Sequence, residues 1–132
     1  MTIRTALLAC AVLAAVPAAA AERTVPANRT TELAFLNVYN THGCRYGARP
    51  KLRLRQPEHG RITTRWLRRP YAAGPSSQGA EKCKGRDMYG LAVYYTPDRG
   101  YRGPDDYYLR WTYQTASGYR GFLGGRERLV VR

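Results

Sequence analysis

The residue types that carry most enzymatic chemistry are thinly spread along this chain. His42 and His59 are its only histidines, and both fall in turn-rich stretches with no serine motif beside them. Nucleophilic catalysis needs a base within hydrogen-bond reach of the nucleophile, and the spacing offers no such pair. Asp105 and Asp106 are adjacent, so on a strand their side chains point to opposite faces and cannot act as paired carboxylates. The pattern predicts no catalytic residue, no cofactor and no enzyme.

Two chemistries remain for the sulfur and oxygen ligands. Cys44 and Cys83 lack the Cys-x-x-Cys spacing of a redox or metal motif, and in an exported chain they predict one disulfide. The loop it closes spans about 40 residues, which corresponds to roughly 4 kcal/mol in the chain-entropy model. Asp98, Asp105 and Asp106 would supply oxygens for calcium. Arg99 and Arg102 stand among them, so capping of the local turn is the expected role and no metal site is predicted.

Arginine is the residue type in excess. The chain has 22 Lys+Arg against 9 Asp+Glu, a formal charge of +13, and only Lys51, Lys82 and Lys84 are lysines. Arginine is always charged and forks onto carboxylates and phosphates, so anionic partners are expected. Lys51, Arg53, Arg55, Arg61 and Arg65 form the densest set. Leu52 and Leu54 alternate with the first three, and Ile62 and Thr64 with the last two. Gln56-Pro57-Glu58-His59-Gly60 between the two runs predicts a hairpin, with Arg55 opposite Arg61, Leu54 opposite Ile62 and Leu52 opposite Thr64. One face of that hairpin would be apolar and the other would carry all five cations as an anion-binding surface.

The first 21 residues read as an export signal. Arg4 provides the positive start, Ala6 to Val16 the uncharged apolar run, and Ala18 to Ala21 the small residues for cleavage. The run is too short and too alanine-rich for a membrane anchor. Cys10 lies too near the N-terminus for a lipoprotein cleavage site. Removing residues 1–21 from 132 leaves 111 residues, one domain, without a transmembrane segment and expected in the periplasm or secreted. Export makes nucleic acid an improbable partner. Residues 22–31 read as a flexible mature N-terminus and residues 32–132 as the folded domain.

Strands are expected over Leu33–Tyr39, Lys51–Arg55, Arg61–Leu67, Met88–Thr96, Asp106–Gln114, Tyr119–Leu123 and Arg126–Arg132. Gly124-Gly125 separates the last two, and Arg68 to Lys82 reads as a long irregular loop. Short alternating strands with Gly/Pro turns predict an all-β antiparallel sandwich.

Tyr95-Thr96-Pro97, then Gly100-Tyr101-Arg102-Gly103-Pro104-Asp105-Asp106-Tyr107, resembles the corner motif of bacterial immunoglobulin-like (cadherin-like) repeats over roughly residues 88–114. The resemblance implies an immunoglobulin-like β-sandwich in which this corner carries the chain from one sheet to the other. Repeats of this family are mostly structural or adhesive modules. This chain differs in being a single copy, strongly basic and cysteine-paired. Tyr94, Tyr101, Tyr108 and Arg110, with Tyr119 and Arg120 of the final hairpin, are a second expected interaction surface, of the kind that stacks on sugars or anchors a protein partner. Together these features predict an exported, non-enzymatic module that binds an anionic envelope polymer or an acidic protein. The alternatives are a structural envelope protein without a ligand, or an inhibitor of an exported enzyme acting through the Arg68 to Lys82 loop.

Overall fold

A computed structural model describes residues 22–72, 81–114, 118 and 120–132. The expected export signal, residues 73–80 of the expected loop and most of the expected Thr115–Gly118 turn lie outside the described residues; the described ends of that loop, Arg68–Pro70 and Glu81–Lys82, belong to a strand and a 3-10 turn. Among the described residues nine strands follow one another as β1 (Arg23–Val25), β2 (Thr31–Leu36), β3 (Tyr39–Asn40), β4 (Arg45–Tyr46), β5 (Leu52–Arg55), β6 (Gly60–Pro70), β7 (Asp87–Pro97), β8 (Gly103–Gln114) and β9 (Arg120–Val131), with a 3-10 turn at Glu81–Cys83. They form a four-stranded sheet ordered β1-β9-β8-β5, a three-stranded sheet ordered β2-β7-β6, and a small β3–β4 hairpin. The two larger sheets pack as a sandwich. Cys44 and Cys83 are disulfide-bonded, as expected.

Alternation along the strands builds the core. Tyr107 and Leu109 of β8 and Leu129 and Val131 of β9 face Ile62, Val93 and Tyr95 of the other sheet. Each fully buried aliphatic or aromatic side chain contributes roughly 1.5–3 kcal/mol. Tyr95 and Val93 are completely buried.

At one end of the sandwich the chain crosses between sheets three times, from β1 to β2, from β5 to β6 and from β7 to β8, and a single carboxylate ties the last two of these together. The β7–β8 crossing is a corner where Gly103 has a φ of 138°, a value that side chains disfavour. Asp105, buried at 8% exposure, accepts hydrogen bonds from the Glu58 and His59 amides, both at 3.2 Å, in the β5–β6 crossing. It also accepts the Tyr95 hydroxyl at 2.8 Å and the Asp106 amide at 2.9 Å. Burial, and then the neighbouring carboxylate, raise the Tyr95 phenol well above its usual pKa, so it stays a neutral donor.

The β5–β6 crossing replaces the expected hairpin. β5 pairs with β8, setting Arg53 opposite Arg110 and Leu54 opposite Leu109, whereas β6 pairs with β7, setting Ile62 opposite Tyr95. The Gln56 side chain occupies the place a strand partner would take on Ile62. Its carbonyl oxygen accepts the Ile62 amide at 2.7 Å and its amide donates to the Ile62 carbonyl at 3.1 Å. Pro57 is buried beside it. Both runs keep their apolar residues inward, but from opposite sheets.

Two further expectations change. Residues 22–31 are not a loose tail, because β1 pairs in parallel with the end of β9 and Val25 is buried in the core. One valine suffices when the strand lies over a closed core. Arg23 then donates to the Leu33 and Glu32 carbonyls of β2, joining the two sheets along that side. At Gly124-Gly125 the chain does not break: β9 runs unbroken through it, pairing Gly124 with Arg110. Gly124 has a φ of 95°, and a Cβ there would collide with the Leu109 carbonyl oxygen, so glycine lets the strand continue.

Removing the Asp105 carboxylate takes the buried acceptor from three backbone amides and the Tyr95 hydroxyl. Asp105→Ala is expected to lower the unfolding free energy by about 3 kcal/mol and Tyr95→Phe by about 1 kcal/mol, measured by urea denaturation. An Asp105→Ala loss below about 1 kcal/mol would contradict the tie.

Candidate anion-binding face

Residues paired directly across a sheet point to the same side, so the registers define what the outer face of the four-stranded sheet carries. Arg53 of β5 lies opposite Arg110 of β8, and Arg55 lies opposite Tyr108. On the other side of β8, Tyr108 meets Arg126, Asp106 meets Arg128, Thr112 meets Phe122 and Gln114 meets Arg120. Six arginines (Arg53, Arg55, Arg110, Arg120, Arg126 and Arg128) therefore share one face with Tyr108 and Phe122. All six are exposed. Neighbouring strands lie about 4.8 Å apart, so Arg55 and Arg126 flank Tyr108 at about 10 Å from each other.

Asp106 is the acid of this face, and its charge is already taken. Arg126 grips it with two hydrogen bonds, Nε at 2.9 Å and Nη2 at 2.8 Å, and Arg55 approaches at 3.5 Å. The Arg126 hydrogen bonds, with the charges of Arg126, Arg55 and Arg128, hold the Asp106 carboxyl below its usual pKa. Arg110 lies over the Phe122 ring at 4.5 Å, leaving its guanidinium edge outward to meet a ligand. Among the described residues Arg53, Arg110 and Arg120 have no acidic partner. A flat array of forked donors beside aromatic rings can take phosphate or carboxylate groups repeated along a polymer.

The expected sets are redistributed by the β5–β6 and β7–β8 crossings. Lys51, whose amide bonds the Thr112 hydroxyl, Arg53 and Arg55 stay at the edge of the four-stranded sheet. Arg61 and Arg65 belong to β6 in the other sheet, where Arg65 lies over Tyr94 at 5.9 Å; the five cations do not share a surface. Of the second set, Tyr108 and Arg110 join the arginine face. Tyr94 is on the opposite sheet, and Tyr101 is in the corner, its ring stacked on His59 at 4.1 Å. Arg120 of the second set joins the arginine face as well, Tyr119 lies outside the described residues, and Arg126, Arg128 and Phe122 were not singled out from the sequence. The parity that turns Leu129 and Val131 inward also turns Arg126 and Arg128 outward, which is the signal that was there to find.

The groups considered for other chemistry do not converge. Asp105 points into the core and Asp106 outward onto arginine. His59 lies in the β5–β6 crossing, and His42 lies beside Gln114 at the far end of β8. Glu32 and Arg69 form a two-pronged ion pair at 2.6 and 2.7 Å on the other sheet, and Arg69 covers the Phe35 ring at 4.4 Å. Among the described residues no helix is long and apolar enough to cross a membrane. No protein-family model, curated protein or solved structure matches this chain.

Replacing the neutralised acid should strengthen the face. Asp106→Asn is expected to tighten binding of a polyanion at low salt by a few-fold, about 0.5–1 kcal/mol, with a steeper salt dependence. Its effect on folding has a fixed sign. A carboxylate whose folded pKa is depressed contributes stability above its unfolded pKa of about 4 and loses it as pH falls through the lower folded value. The stability difference between wild type and Asp106→Asn, followed by thermal melts, should therefore shrink below about pH 4.

Proposed function

We propose that the protein is an exported, non-enzymatic module of immunoglobulin-like type that binds an anionic polymer of the cell envelope through the outer face of its four-stranded sheet. The observation that carries this reading is the gathering of six arginines on one face whose acid, Asp106, is already held by Arg126. Surface charge alone gives solubility and diffuse attraction. Here three strands bring six arginine side chains to one face beside Tyr108 and Phe122, an array suited to a ligand that carries charge at intervals. The export pattern of residues 1–21 supports an envelope location, and the corner at residues 95–107 supports the kinship with adhesive modules.

The opposite sheet supplies an internal control, since Arg61 and Arg65 offer the same chemistry without the array. Arg53→Glu/Arg110→Glu/Arg128→Glu is expected to weaken binding to envelope preparations at low salt by about 100-fold. Arg61→Glu/Arg65→Glu should change it by no more than about threefold, because separated surface charges contribute little each. The measurement is a co-sedimentation titration at two salt concentrations. Equal losses in the two variants would mean that net charge alone drives binding, and the reading fails.

A further inference from the structure

A cleft of about 1290 Å³ opens at the end of the sandwich away from the crossings. Its origin lies in unequal strand lengths. β8 continues its inward row beyond Leu109 to Trp111 and Tyr113, whereas β2 stops at Leu36. The chain then leaves the sheet into the β3–β4 hairpin, which forms the opposite wall. Trp111 and Tyr113, their rings 6.2 Å apart, are half-buried and line the cleft together with residues 37–48.

The hairpin wall is held firmly. Tyr39 stacks on Tyr71 and Tyr46 packs against Tyr89, both at 4.6 Å between ring centres. The disulfide joins the hairpin turn at Cys44 to the 3-10 turn at Cys83. Despite these contacts Tyr46 is 52% exposed, an outlay of aromatic surface that water does not reward. Beside the rings the wall carries the Asn37 and Gln114 amides and the Arg45 guanidinium. No acidic side chain stands among the described residues of the wall, and Arg45 has no ion-pair partner among them.

We infer that this cleft is a second binding site, independent of the arginine face, and that it takes an acidic oligosaccharide bearing uronic-acid units. Three properties of the wall select that class. Flat, partly exposed rings offer apolar platforms to the C–H faces of sugar rings. Amides supply paired donors and acceptors for hydroxyl groups. The unpaired guanidinium matches a sugar carboxylate bidentately. The size agrees: compact small-molecule sites enclose roughly 300–1,000 Å³, and this longer, open cleft suits several units of a chain. An anchored, disulfide-tied wall also limits the ordering cost on binding.

The test is a calorimetric titration with oligogalacturonate of the Arg53→Glu/Arg110→Glu/Arg128→Glu protein, in which the arginine face cannot contribute. Oligogalacturonate is expected to bind, and a neutral galactose oligomer to bind at least about tenfold more weakly. Tyr46→Ala and Arg45→Gln, both at exposed positions that spare the core, should each weaken binding about tenfold. Trp111→Leu should weaken it as well, with circular dichroism confirming the fold. Absence of binding in this background would overturn the cleft assignment while leaving the arginine face untouched. Equal affinity for the neutral oligomer, equal affinity for an oligoglutamate peptide, or Tyr46→Ala and Arg45→Gln both within about twofold of their parent would each overturn it too.

Discussion

The arrangement depends on one buried carboxylate. Asp105 accepts hydrogen bonds from two neighbouring places where the chain changes sheet: its own strand start and the Glu58–His59 amides. It also receives the Tyr95 hydroxyl from the facing sheet. A buried polar group is tolerated when it is satisfied and is expensive when it is not. Asp105 therefore favours the one topology in which the β5–β6 segment arrives beside the β7–β8 corner. A β5–β6 hairpin within one sheet would leave that acceptor set without its donors.

The consequence for function is a sorting of charge. Because the chain crosses between β5 and β6, basic residues that are near neighbours in sequence separate onto opposite faces of the molecule. Arg53 and Arg55 are joined instead by Arg110, Arg126 and Arg128, which come from the far half of the chain. Direct opposition of like charges across a sheet is mildly destabilising, as in the Arg53–Arg110 pair. Asp106 relieves part of that repulsion between Arg55 and Arg126, and a bound polyanion would relieve the rest. On the other sheet Glu32 pairs with Arg69 and Asp87 with Arg68, which leaves Arg61 and Arg65 without the array.

At the far end the opposite principle operates. There β2 stops at Leu36 while β8 continues to Gln114, and Trp111 and Tyr113 line an open cleft. The disulfide and two tyrosine contacts hold the β3–β4 hairpin at this opening. The ends of the sandwich thus differ in kind: one closed by hydrogen bonds to a carboxylate, the other propped by covalent and aromatic contacts.

Much of this was written locally. Period-two alternation assigned Leu109, Leu129 and Val131 to the interior and Arg53, Arg110 and Arg128 to solvent. Cys44 and Cys83 were expected to pair, and the Tyr95–Tyr107 stretch marked a corner through its glycines and prolines. Inward or outward parity follows from strand geometry alone, so a single strand carries it. What the sequence by itself did not determine is which strands are neighbours. The loop at Gln56–Gly60 serves a hairpin or a crossing equally well until Asp105 and Ile62 supply its hydrogen-bond partners from distant positions. The parallel docking of β1, the unbroken course of β9 through Gly124, and the cleft beside Trp111 likewise depend on elements far apart in the chain. Parity is a local property and adjacency is not; the six-arginine face required both, so only the tertiary structure assembled it.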